Sequence, residues 1–164
     1  MAKSYLMSRK WALTDRFAIT DEAGTPQFEV QGRFAFSKKL SIRDAVGAEV
    51  AVITGHALST RYEILVGGQS TTVRPRGFLG RRFEIDSAAG RLEARGNFSG
   101  RQYSIARDGV QVAAVSQLRT LRELFAVEVA DGQDPVLMLS VVLVIETIRA
   151  QRRQAAAAGA SAGG

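Results

Sequence analysis

Cysteine is absent from the 164-residue chain and histidine occurs once, at His56. The first absence excludes disulfides, thiolate metal sites and a thiol nucleophile, and fits a reducing compartment. The second leaves imidazole chemistry a single candidate, in Thr54-Gly55-His56-Ala57, where a strand end or turn explains the residue. Neither the Gly-x-x-x-x-Gly-Lys phosphate loop nor the Gly-x-Gly-x-x-Gly dinucleotide turn occurs. These gaps point to a protein that is not an enzyme and carries no cofactor. Glu128, Asp131 and Asp134 form an acidic series, but turn and helix-cap chemistry accounts for it, so no metal is assigned.

Long apolar runs are equally scarce, with one exception near the end of the chain. The segment Met1 to Lys10 lacks the apolar stretch of a secretory signal, which makes the cytoplasm the expected location. With 46% hydrophobic and 23% charged residues, the composition is that of a folded domain, and the length suits one core. One domain over residues 1–153 is expected, followed by a disordered Ala/Gly-rich tail at 154–164. A net charge of +6 favours anionic partners through an attraction that salt screens. Arginine dominates that charge but is spread along the chain, as on a solubilising surface.

What is present is a repeated unit of leucine, arginine, an aromatic and a β-branched residue, closed by a turn. Leu13-Thr-Asp-Arg16-Phe17-Ala-Ile19, Leu58-Ser-Thr-Arg61-Tyr62-Glu-Ile64 and Leu79-Gly-Arg-Arg82-Phe83-Glu-Ile85 are its clear copies. Looser ones run through Tyr103 and Ile105 and through Phe125 and Val127. In each, the aromatic and the β-branched residue are two apart, so both project to one face of a half-buried strand. Gly-containing pairs close the copies and suit hairpin turns. Second strands lie between them, at 27–33, 49–54, 71–76, 91–98 and 110–116, with a further strand at 39–44. Eleven or twelve short antiparallel strands at this spacing predict an all-β barrel or sandwich, and closure is favoured because open edges aggregate.

The exceptional run is Asp134 to Ile148. Asp134 and Pro135 are helix-start residues, and Arg149, Arg152 and Arg153 suit the negative end of a helix dipole. The segment is apolar in every direction, so it needs burial on all sides, yet it falls short of the roughly 20 apolar residues of a bilayer span. A barrel of about twelve strands can enclose a helix about 10 Å wide. The predicted fold is therefore an all-β barrel of about 12 antiparallel strands around one C-terminal hydrophobic helix.

These residues resemble a known family. The Arg-aromatic-x-Ile units, the segment Asn97-Phe98-Ser-Gly100-Arg-Gln-Tyr103-Ser-Ile105 and the closing apolar run look like the LURP-one-related proteins, which share the Tubby C-terminal-like fold with phospholipid scramblases. The resemblance spans about Leu6 to Arg149 and implies a twelve-stranded barrel around a C-terminal helix. Tubby proteins bind phosphoinositides, but their lipid-site residues have no counterparts here. The candidate site comes instead from the hairpin connection Arg74-Pro-Arg76-Gly-Phe78-Leu79-Gly-Arg81-Arg82. Arg74, Arg76 and Arg81 would bind lipid phosphates while Phe78 enters the interface. The expected role is a non-catalytic binding module for anionic phospholipid headgroups, or for a protein, peripheral to the cytoplasmic membrane surface. A scramblase-like lipid-handling protein and a soluble structural scaffold are the alternatives; a nucleic-acid partner is not expected, because the aromatics fall on buried strand faces.

Overall fold

In a computed structural model, residues 2–8, 16–32, 39–56, 60–77, 81–118 and 123–162 are described. Twelve strands follow one another: β1 (Lys3–Ser8), β2 (Arg16–Asp21), β3 (Pro26–Gln31), β4 (Lys39–Asp44), β5 (Glu49–Gly55) and β6 (Tyr62–Val66). After these come β7 (Gln69–Arg76), β8 (Arg82–Ser87), β9 (Gly90–Asn97), β10 (Gln102–Arg107), β11 (Val110–Gln117) and β12 (Leu124–Val129), then one helix, α1 (Pro135–Ala162). Every strand pairs antiparallel with its sequence neighbours, and β1 pairs with β12 to close the barrel.

The alternation seen in the repeat decides what faces inward. Ile19, Tyr62, Ile64, Phe83, Ile85, Tyr103, Ile105, Phe125 and Val127 are buried, while Arg16, Arg61 and Arg82 stay exposed on the other parity. Leu13, Leu58, Leu79 and Leu121 lie outside the described residues. The closing strand β1 had no copy of the repeat to mark it. Its signal is only Tyr5 and Met7, two apart and buried, which lie opposite Val127 and Phe125 of β12.

α1 fills the interior. Met138, Leu139, Val141 to Ile145 and Ile148 are at most 2% exposed and form one cluster with the inward strand residues. Asp134 caps the helix as its residue type suggests, its carboxylate accepting from Val136 N at 2.9 Å and its carbonyl from Met138 N at 3.1 Å. The far end differs from expectation. The helix does not end near Arg153 with a disordered tail beyond; it continues through Ala162. Alanine is the strongest helix former, so Ala155 to Ala158 propagate a helix already nucleated inside the barrel, although residues 152–159 are exposed. Arg149, Arg152 and Arg153 consequently sit within α1 and not at its terminus.

A polarity follows from the topology. The short turns at 22–25, 45–48, 67–68, 88–89 and 108–109, together with the start of α1, lie at one end of the barrel. The opposite end holds the β9–β10 turn and the place where α1 emerges.

A basic groove where the helix leaves the barrel

A carboxylate inside an apolar helix must find partners or unfold the protein. Glu146 lies in the Val-Ile-Glu-Thr-Ile segment of α1 with its side chain 1% exposed. Its Oε2 accepts from Arg101 Nε at 3.0 Å and Arg149 Nη1 at 2.7 Å, and its Oε1 from the Tyr103 hydroxyl at 3.1 Å. Tyr103 lies on the inward face of β10, and Arg101, in the turn just before that strand, reaches the same carboxylate. Arg101 also stacks over the Phe125 ring at 5.1 Å, and its backbone sits at φ 52°, an unusual value for a residue with a side chain. Arg149 Nη2 donates to the Ser99 carbonyl at 3.0 Å, tying the helix to the β9–β10 turn.

Two guanidiniums thus meet one buried carboxylate. Burial pushes the Tyr103 hydroxyl well above the ordinary phenol value, reinforced by the Glu146 charge. Burial also lowers Arg149 from the usual arginine value; Glu146 opposes that shift, whereas Arg101 and Arg153 add to it.

Above this network a groove of about 610 Å³ opens to solvent, lined by Arg81, Gly96 to Ser99, Arg149, Arg152 and Arg153. Arg149, Arg152 and Arg153 are three and four apart, hence on one helical face. Arg81 precedes β8 on the parity of Phe83 and Ile85, which turns it toward the mouth and away from the outer wall. Gly96, at φ 135°, also has inward parity. A Cβ there would lie 2.6 Å from the Gln102 carbonyl oxygen, so glycine is what lets β9 approach β10 beside the groove.

The arginines singled out in the β7–β8 connection are divided by the fold. Arg74 and Arg76 point outward from β7 onto β8, where Arg74 Nη2 meets Asp86 Oδ2 at 2.9 Å and Arg76 Nε meets Glu84 Oε2 at 3.4 Å. Arg91 joins the same carboxylates, and these ion pairs hold Asp86 below the usual carboxylate range. Only Arg81 is placed with the basic groove; Phe78 lies outside the described residues. The groove's other arginines carried one legible signal, Arg149, Arg152 and Arg153 at helical spacing, which the expected helix end obscured. Glu146 was legible as a charge in an apolar run, but Arg101 is 45 residues away and nothing local links them.

His56 follows β5, with Nε2 3.5 Å from Glu63 Oε2 and both side chains partly exposed. Gly159-Ala160-Ser161-Ala162-Gly163 has the Gly-x-Ser-x-Gly spacing of a hydrolase elbow. That chemistry needs serine on a strand-to-helix turn, and the backbone here is helical through Ala162. Among the described residues no cluster of three potential metal ligands occurs.

The sequence model of the LURP-one-related family matches residues 3–146. The chain belongs to the LURP-one-related family. The match ends at Glu146, so the family pattern takes in all twelve strands and most of the buried part of α1. A protein of Arabidopsis thaliana solved by X-ray crystallography has a similar structure, with a TM-score of 0.70 over 90% of this chain and 91% of that one. At 18% identity this likeness is one of fold. No curated protein matches the chain. This LURP-one-related barrel therefore has to be read from its own surface.

Proposed function

We propose that the protein is a non-catalytic binding module that docks the basic end of its barrel against an anionic membrane surface. The supporting observation is the division of charge between the two ends. Asp21, Glu22, Asp44, Asp108, Asp131 and Asp134 lie at the tight-turn end, where Asp21 and Asp44 cap their turns by accepting from backbone N–H groups two and four residues on. Lys3, Arg43, Arg91 and Arg107 only partly offset them. Lys39, Arg61, Arg81, Arg149, Arg152 and Arg153 lie at the other end, against Glu63 and Glu123 at its rim. A charge separation along the barrel axis orients the molecule before contact, and each basic residue near an anionic surface contributes about 1 kcal/mol. The chemistry of the groove also favours binding over catalysis, because a guanidinium stays protonated and donates without exchanging protons.

Docking is favoured over a scramblase-like insertion of α1. Its apolar residues already pack inside the barrel, and no helix among the described residues is long and apolar enough to cross a membrane. Flotation with phosphatidylserine-containing and with purely phosphatidylcholine vesicles tests the reading. The expected result is binding to the first alone, weakening as salt rises. Arg74→Ala with Arg76→Ala should weaken it less than loss of Arg81 and Arg153, since those two side chains are engaged by Glu84 and Asp86 on the barrel wall. Equal binding to both vesicle types, or none to either, rejects membrane docking.

A further inference from the structure

We infer that the groove at the helix exit is a subsite for a phosphate monoester, gripped by Arg81, Arg149, Arg152 and Arg153. This deepens the membrane-docking reading and rests on it where the phosphate belongs to a lipid; the same chemistry would accept a soluble phosphate. Three features support a selective site over a generally basic surface.

The floor is built from a charged residue that is itself buried. Arg149 is 9% exposed and fixed at both ends of its guanidinium, by Glu146 at 2.7 Å and the Ser99 carbonyl at 3.0 Å. An arginine so held has already lost its rotamer freedom, so a ligand that meets it gives up less on binding. The buried Arg101–Glu146–Arg149 cluster carries two positive charges against one negative, and Arg149 is its member that lines the groove. An anion in the groove offsets part of the repulsion between these guanidiniums.

The rim adds donors that the fold does not use. Arg81 and Arg153 are exposed and have no ion-pair partner among the described residues. With Arg149 and Arg152 they converge on one groove from two different elements. A phosphate monoester offers three terminal oxygens and a charge of about −1.5 to −2 near neutral pH, whereas a phosphodiester offers two oxygens and a single charge. A cluster of four guanidiniums, of which Arg149 is held in place, therefore favours the monoester through its greater charge and extra acceptor oxygen. The groove's volume, about 610 Å³, falls within the range of small-molecule sites, and Gly96 keeps its wall free of a side chain.

The test compares vesicles of phosphatidylcholine doped with phosphatidic acid, a monoester, and with phosphatidylglycerol, a diester, at matched surface charge. In parallel, inorganic phosphate is titrated at constant ionic strength against chloride, with amide NMR shifts as readout. Monoester vesicles should bind about tenfold more tightly, the size of one additional charge-assisted hydrogen bond, and phosphate should shift residues 96–101 and 149–153. Arg81→Ala with Arg153→Ala removes two exposed side chains, so its thermal unfolding should match the parent; its monoester preference should disappear. Lys39→Ala with Arg61→Ala removes equal charge from the same end outside the groove, and should weaken both vesicle types while retaining the preference. Equal affinity for the two lipids without phosphate shifts at the groove overturns the subsite and leaves general docking intact. Groove shifts with phosphate but no vesicle binding support the subsite for a soluble anion and reject membrane docking. Phosphate shifts confined to other surfaces overturn the subsite.

Discussion

Glu146 is the residue on which the helix and the barrel wall agree. Removing one partner from a buried ion pair typically costs about 3–5 kcal/mol, because the remaining charge is left without compensation. The price of placing a carboxylate there is offset by three donors, Arg101, Arg149 and Tyr103. Tyr103 makes the network sensitive to alkaline pH in a definite direction. Below the ordinary phenol value of about 10 the hydroxyl is protonated in both folded and unfolded chains, and its contribution is intact. Above it the unfolded chain releases a proton that the folded chain retains, so stability falls as pH rises toward the elevated folded value. Tyr5 and Tyr62, raised by burial, act in the same sense. Chemical unfolding measured from neutral pH to above pH 10 should show that decline, and Tyr103→Phe should make it shallower by about 1.4 kcal/mol per pH unit. Identical slopes for the two proteins would remove Tyr103 from the alkaline response. A charge in an apolar run was the signal that could have marked Glu146, and the reading of the segment as apolar in every direction passed over it. Which arginine, 45 residues back, meets it is decided only when the β9–β10 turn reaches α1.

At the scale of elements, α1 behaves as two helices in series. From Met138 to Ile148 it is the barrel's interior, and over residues 152–159 it is a solvent-exposed rod sustained by alanine propensity. The first half was legible because an apolar segment without a polar face has few places to go. The second was not, since a run of Ala and Gly reads equally as tail or as helix until an upstream nucleus is known. The strands were legible wherever an aromatic and a β-branched residue alternate, and β1 was lost where they do not. The division of α1 has a mechanical consequence. Leu139→Asp or Val142→Asp puts a carboxylate among apolar strand residues with no donor to meet it, and folding should fail. The check is soluble expression followed by near-ultraviolet circular dichroism. A soluble variant with native stability would mean that α1 is not needed as the core.

For the whole molecule, a closed antiparallel barrel has no edges, which removes strand addition as a binding mode and leaves its wall and two ends. On the wall at β7–β9, arginines alternate with carboxylates and largely neutralise each other, as the pairs of Arg74, Arg76, Arg82 and Arg91 show. The ends differ, and their difference was invisible in the sequence because the charges are interspersed; the antiparallel path sorts them by carrying every second connection to the same end. If that sorting orients the protein on a membrane, the two ends must differ in their distance from lipid. The absence of cysteine makes this measurable with single introduced thiols. Ala89→Cys lies exposed in the β8–β9 turn, and Ala158→Cys lies exposed on the emergent part of α1. With an environment-sensitive dye on each and a quencher attached to lipid headgroups, phosphatidylserine vesicles should quench the dye at 158 and leave the dye at 89 unaffected. Equal quenching would mean that the barrel adsorbs without orientation, and quenching only at 89 would mean that the tight-turn end meets the lipid. Either outcome would detach the basic groove from membrane docking, whatever anion the groove itself can hold.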